Sequence, residues 1–298
     1  MTLFARNSLR LALAALAVAA VAIFAATVYT APSPAASLNA TLNSAEARHY
    51  PNLAGRKQLR ASRSRASSAD LLFNGTRLSD FVNQSAPGAV SEVGDPTGSG
   101  ASVFRMTVKD DDVYPLTPTE NPRAQLCSTE FIEAGEEFWW HARFYLPKDF
   151  PSYLPSWLTV MEGPYGRPWD GSPPVSIDVN GDNVRWQRND TYDWDVPWSA
   201  PIPRGQWTDV LYHMRFGTEG FVEMWINGEQ VTFFENDFHN PNDEAPTTRL
   251  EMATLDHSNA GGHGAVILQN YRKVNMFETV SLYHGATQVG TTRSSVGG

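Results

Sequence analysis

The stretch from Phe138 to Leu146 sets the strongest limit on what this chain can fold into. Phe138, Trp140, Ala142, Phe144 and Leu146 alternate with Trp139, His141, Arg143 and Tyr145. A period of two places the first set on one face of an extended strand and the second on the other. The first face is apolar throughout and has to be covered. The second mixes aromatic rings with an imidazole and a guanidinium, where a plain solvated face carries Lys, Glu, Thr and Ser. That composition suits a carbohydrate groove, because sugar rings stack on aromatics while hydroxyls and carboxylates need hydrogen-bonding partners. A second packed layer under loops would produce the same composition.

Comparable runs recur along the chain. Ser102–Val108 alternates, and Ala124-Gln125-Leu126-Cys127 continues from Arg123 as a strand. Val175–Val179 and Val184–Arg188 flank Asn180-Gly181, and Gly220–Val231 contains Asn227-Gly228; both dipeptides signal tight hairpins. Leu71-Leu72-Phe73 before Asn74-Gly75 reads as an edge strand and turn. Val210–Phe216, Ala265–Phe277 and Thr279–His284 supply further strands, and Asp190–Trp198 reads as a loop dense in aromatics and acids. No long helix-period run interrupts them. The fold class that follows is all-β, a two-sheet antiparallel β-sandwich or jelly roll, with the carbohydrate groove on its concave sheet. Residues 70–298 are an ordinary length for one such domain.

The N-terminal part differs. Residues 1–36 read as a signal peptide or membrane anchor: Arg6 and Arg10 precede an Ala/Leu/Val-rich run, and small residues follow. Residues 37–69 read as a disordered basic tether. The chain is therefore expected to be secreted, or anchored at the cell surface if the segment is uncleaved. Residues 1–69 hold eight of the 23 Lys/Arg and one of the 32 Asp/Glu, which leaves a formal charge of −16 on residues 70–298. Such a domain repels nucleic acid and anionic lipid, so membrane contact is expected only through an uncleaved anchor. A monomer is expected. Cys127 is the only cysteine, which excludes an intrachain disulfide and suits a small buried core residue. Asp110-Asp111-Asp112 lacks the ligand spacing of a dedicated calcium site and reads as a solvated loop, although its oxygens leave room for a structural calcium. His257 and His263 lack zinc-ligand spacing, and no phosphate loop or nucleophile elbow is present. No cofactor and no catalytic metal are expected.

Several segments occur in a telling order: Arg123-Ala124-Gln125-Leu126, then Trp140 to Pro151, then Arg204-Gly205-x-Trp207-x-Asp209 followed by Gly220-x-Val222-Glu223-x-Trp225-x-Asn227-Gly228. Tyr271-Arg272-Lys273 and Leu282-Tyr283-His284-Gly285 close the series. This order resembles the secreted jelly-roll polysaccharide lyases related to heparin lyase I and glucuronan lyase, across about residues 71–292. The Trp/Asn-Gly hairpin is shared with other concanavalin-like sandwiches and speaks to fold more than chemistry.

The resemblance implies a polysaccharide substrate containing uronate, cleaved by β-elimination. That reaction needs three things: a group that neutralises the uronate carboxylate, a base for the C5 proton, and an acid for the departing O4. Tyr271 and Lys273 share the Tyr-x-Lys spacing of the alginate lyases, which implies Tyr271 as base or acid with Lys273 supporting it. His141 is the partner proton carrier by this reading, and Arg123 or Arg143 the neutraliser. Trp139, Arg143, Tyr145, Glu162, Arg185, Gln187 and Gln269 complete the expected substrate site. The chain departs from the pattern at Met161-Glu162-Gly163-Pro164, where related lyases carry Gln-x-His, and at Asn275 and Phe277. Two other readings stay open: a non-catalytic carbohydrate-binding or adhesion domain, and, behind it, a glycoside hydrolase built on carboxylates such as Glu162 with Asp178 or Glu223.

Overall fold

Alternating runs joined by tight turns bury their apolar faces most completely when two sheets pack face to face, and the chain adopts that arrangement. The structure, a computed structural model, describes residues 70–115, 121–128, 132–167, 173–190, 193–234, 246–255, 263–276 and 278–297. The expected signal or anchor segment and the basic tether lie outside the described residues. Among the described residues, no helix is long and apolar enough to cross a membrane.

Strands are numbered in chain order. The first sheet runs β14 (Glu229–Gln230), β13 (Gly220–Ile226), β12 (Trp207–Arg215), β7 (Glu137–Tyr145), β17 (Val280–His284), β4 (Ser102–Val108) and β3 (Val90–Gly94). To it are added β1 (Leu71–Gly75) paired with β18 (Thr287–Gly290), which joins β7, and β15 (Leu250–Met252) on β13. The second sheet runs β11 (Asp193–Pro201), β10 (Asn183–Asp190), β9 (Val175–Gly181), β8 (Leu154–Arg167), β16 (His263–Arg272), β5 (Arg123–Ser128) and β2 (Phe81–Asn83), with β6 (Ile132–Glu133) on β16. The fold is thus a two-sheet antiparallel β-sandwich.

The core sits between the sheets. Phe138, Trp140, Ala142 and Phe144 of β7 are at most 1% exposed. They belong to one apolar cluster with Leu158 and Val160 of β8, Ile177 and Val179 of β9, Val184 and Trp186 of β10, and Val266 and Leu268 of β16. Each large apolar side chain removed from water contributes about 1.5–3 kcal/mol, so a one-residue slip of any strand would expose its whole buried set. Two polar side chains also tie the layers. Asn270 of β16 donates to the carbonyls of Met106 and Val280 in the first sheet, at 3.2 and 3.0 Å. Nε2 of His284, on β17, lies 3.1 Å from the Gln269 carbonyl of β16.

The turns follow local chemistry where the backbone needs positive φ. Asn227 (φ 52°) and Gly228 (φ 85°) are both left-handed, as a two-residue hairpin turn requires, and Gly181 (φ 62°) turns β9 into β10. Three readings are corrected. Asn74-Gly75 lies inside β1 rather than forming a turn, and glycine is needed there because a Cβ would stand 2.2 Å from the Phe81 ring. Within the stretch read as an Asp190–Trp198 loop, Asp190 ends β10 and Asp193 begins β11, with Trp186 opposite Trp198 and Asp190 opposite Asp193; Trp198 packs on the core, which draws the described residues into the sheet. The Asp110-Asp111-Asp112 segment is not wholly solvated: Asp110 reaches the fully buried Arg272 at 2.9 Å. A buried guanidinium needs a counter-charge, and this acid provides it.

Candidate active site

The sandwich divides the expected site residues between its two outer faces. Trp139, His141, Arg143 and Tyr145 lie on β7 in the first sheet. Arg123, Glu162, Arg185, Gln187, Gln269 and Tyr271 lie on β5, β8, β10 and β16 in the second. These two groups cannot close on one substrate, so the expected partnership of His141 with Tyr271 is not formed.

The second sheet gathers its members well. On β16, Val266 and Leu268 enter the main core, while Ile267 joins a separate small cluster with Cys127 and Val82. Alternation therefore sends Ile267, Gln269 and Tyr271 to the outer face. The same rule brings out Arg123, Gln125 and Cys127 from β5, Ser176 and Asp178 from β9, and Arg185 and Gln187 from β10. The register aligns them into a row across five strands: Arg185 opposite Asp178, Asp178 opposite Thr159, Thr159 opposite Tyr271, and Tyr271 opposite Arg123. Beside it, Gln187 pairs with Ser176, Ser176 with Glu162, and Gln269 with Gln125. Irregular pairing of β8 with both neighbours shifts the alternation between Thr159 and Glu162, so that both reach this face.

Tyr271 stands between Thr159 and Arg123 in the row. The Arg123 guanidinium lies 4.5 Å from the centroid of its ring, the Trp157 ring meets it edge-on at 5.0 Å, and the Asn121 amide donates to its hydroxyl at 3.3 Å. Arg123 also donates to Gln125 at 3.4 Å. Lys273 falls elsewhere. β16 ends at Arg272, and Lys273 is exposed one residue beyond it, its backbone N–H bonded to the Trp157 carbonyl. Its ammonium makes none of the hydrogen bonds or ion pairs found among the described residues, so the expected support of Tyr271 by Lys273 is not seen.

Two carboxyls are buried in the same face. Glu162 is 7% exposed and Asp178 3%. Burial pushes Glu162 up to about 7 against the opposing pull of Gln269 and Arg123, and Asp178 adds to the rise. Burial likewise pushes Asp178 up to about 6, although Thr159, Arg185 and Ser176 favour its ionised form. The Gln269 amide sits close enough to influence Glu162, yet neither of its polar atoms meets full hydrogen-bond geometry with the protein. Asp178 Oδ1 and Arg185 Nε are in the same condition. Buried polar atoms are normally satisfied, and several such groups on one face favour a polar ligand there. Sequence reasoning missed Asn121, Gln125, Trp157, Thr159 and Ser176, and used Asp178 only for a hydrolase. The alternation of Ser176 and Asp178 against Val175, Ile177 and Val179 carried the signal for two of them.

The outer face of the first sheet satisfies itself instead. The Trp139 ring stacks on His213 at 4.3 Å with 7° between planes, and lies 5.5 Å from Trp225. Arg293 covers Trp225 and Trp139 at 5.1 and 5.9 Å. His141 faces Asp209 at 3.5 Å and holds that carboxyl below its ordinary range. Arg143 lies over the Trp207 ring at 4.3 Å and reaches Asp95 at 3.9 Å. Tyr145 is buried between Trp207 and Tyr283. The aromatic–cationic composition thus builds cross-strand packing on this face.

A known structure shares this architecture. The structure of the endo-β-1,4-glucuronan lyase from the fungus Trichoderma reesei is similar with a TM-score of 0.55 at 17% identity, over 76% of this chain and 98% of that one. The cellulose-induced protein Cip1 gives 0.47 at 14% identity, over 74% and 97% of the two chains. A mutant of the alginate lyase Aly36B with a bound alginate trisaccharide gives 0.41 at 13% identity, over 72% and 98%. No curated protein matches the sequence. The polysaccharide lyase family model matches residues 72–250, more than half of the sequence, and the chain therefore belongs to the polysaccharide lyase family, as a lyase acting on polysaccharides.

Proposed function

We propose that this protein is an exported lyase that cleaves a uronate-containing polysaccharide by β-elimination on the outer face of its second sheet. The observation that carries the reading is the row that sets Tyr271 between Arg123 and the Thr159–Asp178–Arg185 series. A substrate carboxylate beside Arg123 has its charge neutralised, which acidifies the C5 hydrogen and stabilises the enolate-like transition state. Tyr271 then takes the C5 proton and returns one to O4 as the C4–O4 bond breaks and the C4–C5 double bond forms. One hydroxyl can serve both steps where the C5 hydrogen and O4 lie on the same side of the ring. Gln187, Arg185 and Gln269 hold neighbouring sugar hydroxyls and carboxylates. Family membership favours elimination over hydrolysis by the Glu162–Asp178 pair.

Elimination leaves unsaturated uronate ends that absorb in the ultraviolet. The purified chain is expected to raise this absorbance on at least one of glucuronan, alginate, heparin, hyaluronan and pectate. Tyr271→Phe should lower kcat by about a hundredfold or more while glycan retention in affinity electrophoresis persists. Unchanged turnover would remove Tyr271 from the mechanism. Retention of glycan by the parent chain without any absorbance rise would point to a binding domain.

A further inference from the structure

Glu162 is the charged-type side chain on this face that fits an anionic substrate worst, and its surroundings say how the conflict is resolved. We propose that Glu162 works as an undissociated carboxylic acid that donates a hydrogen bond to the uronate carboxylate, beside Arg123. The proposal rests on the uronate-lyase reading of the same site.

Four observations carry it. Glu162 is enclosed on β8, with Ser176 of β9 and Ile267 of β16 opposite it in register. The Gln269 amide of β16 adjoins it with its polar atoms otherwise unsatisfied. A second buried carboxyl, Asp178, approaches from β9. Arg123, the cation that acts on it, also leans over the Tyr271 ring from β5. The titratable and charged groups acting on Glu162 are Arg123 from β5 and Asp178 from β9, with Arg185 of β10 on the far side of Asp178 and Tyr271 of β16 opposite Thr159, three residues away along β8. Two enclosed carboxyls on adjacent strands do not both ionise readily, and an arriving uronate adds a third negative charge.

Keeping the proton on Glu162 removes the repulsion. It also supplies an O–H donor to an oxyanion, which makes a short and strong hydrogen bond. The carbonyl oxygen of the acid remains free to accept from the Gln269 amide. No proton is consumed in this role: Glu162 keeps its hydrogen, and the C5 proton passes to Tyr271. Burial keeps the acid form dominant until about pH 7, so substrate affinity should fall above neutrality while Arg123 stays charged.

The test separates this proposal from the reading beneath it. Binding of oligosaccharides of glucuronan, alginate, heparin, hyaluronan and pectate is measured by calorimetry on the full chain carrying Tyr271→Phe, from pH 5.5 to 8.5. Circular dichroism confirms the fold of each variant. For the oligosaccharide that binds, the dissociation constant is expected to rise at least tenfold between pH 6 and 8.5, toward the limit of about thirtyfold that deprotonation of a group near pH 7 sets. Adding Glu162→Gln, which keeps an uncharged donor, should make binding at pH 8.5 about tenfold tighter than in the Tyr271→Phe background and flatten the profile. Adding Asp178→Asn instead should leave a clear alkaline loss. An unaltered alkaline loss with Glu162→Gln, or its disappearance only with Asp178→Asn, overturns the role of Glu162 and leaves the lyase reading standing. Absence of binding to all five probes, with no unsaturated product from the parent chain, overturns both.

Discussion

Asp95 has a side chain only 1% exposed, yet it gathers donors from three residues. The Thr97 N–H and hydroxyl donate to it at 2.8 and 2.7 Å, the Trp207 indole N–H at 3.1 Å, and the Ser99 hydroxyl to its other oxygen. Burial alone would raise its pKa, but these donors outweigh it and hold the carboxyl well below its ordinary range. The carboxylate therefore contributes stability above its unfolded pKa and loses it as the pH falls toward the folded value. Asp95→Ala should lower the unfolding free energy at pH 7 by about 2–3 kcal/mol, measured by urea titration, because several charge-assisted bonds go and buried donors stay unpaired. Trp139 makes the opposite kind of prediction. Its ring is taken up by His213, Trp225 and Arg293, so Trp139→Ala should cost about 1–2 kcal/mol of stability and leave the dissociation constant for the glycan unchanged. A tenfold loss of glycan affinity in a folded Trp139→Ala protein would return that face to the binding site.

β16 is the element that joins scaffold to chemistry, because its two faces do different work. Gln269 and Tyr271 face outward into the candidate site, while Asn270 turns inward and bonds two carbonyls of the opposite sheet. Asn270→Ala should cost about 2–4 kcal/mol, since it strips two buried carbonyls of their partner, and it should displace Tyr271 enough to lower kcat. Unfolding by urea alongside turnover checks both effects; full stability in the variant would refute the bridging role. The strand shows where the sequence could be read and where it could not. Alternation from Ala265 onward foretold which residues share a face, and it placed Tyr271 with Gln269 correctly. It did not show that the strand stops at Arg272, so Lys273 was expected beside Tyr271 and stands exposed instead. The same gap explains β7. Alternation names the buried face of a strand but not the sheet it joins, and what lies on the outer face depends on neighbours distant in the chain. His213 and Trp225 turned the Trp139 face into packing, and nothing within Phe138–Leu146 reveals them.

At the scale of the molecule, buried groups on the two sides of β16 give stability opposite dependences on pH. His284 is fully buried, and burial lowers its pKa from 6.5 to about 4, against the raising effect of its backbone bonds to Gln269 and Arg143. Between those values the unfolded chain binds the extra proton, so this histidine's contribution is full above pH 6.5 and declines as the pH falls toward 4. Glu162 and Asp178 act the other way. Their folded values, about 7 and about 6, lie above the ordinary 4.5 and 3.8, so the native state holds the extra protons and stability declines as the pH rises through this range. Each histidine or carboxyl term is on the order of 3 kcal/mol at its limit, so the two carboxyls together outweigh the one histidine that opposes them. The parent chain should therefore lose about 2 kcal/mol of stability as the pH rises from 4.5 to 7.5. Replacing both carboxyls, as Glu162→Gln with Asp178→Asn, leaves the histidine unopposed. The double variant should then lose about 2–3 kcal/mol on going from pH 7 to 4.5, an interval over which the parent chain should gain about 2 kcal/mol. Urea unfolding at four pH values measures the difference, and parallel profiles for the two proteins would show that these buried groups do not titrate as their enclosure requires.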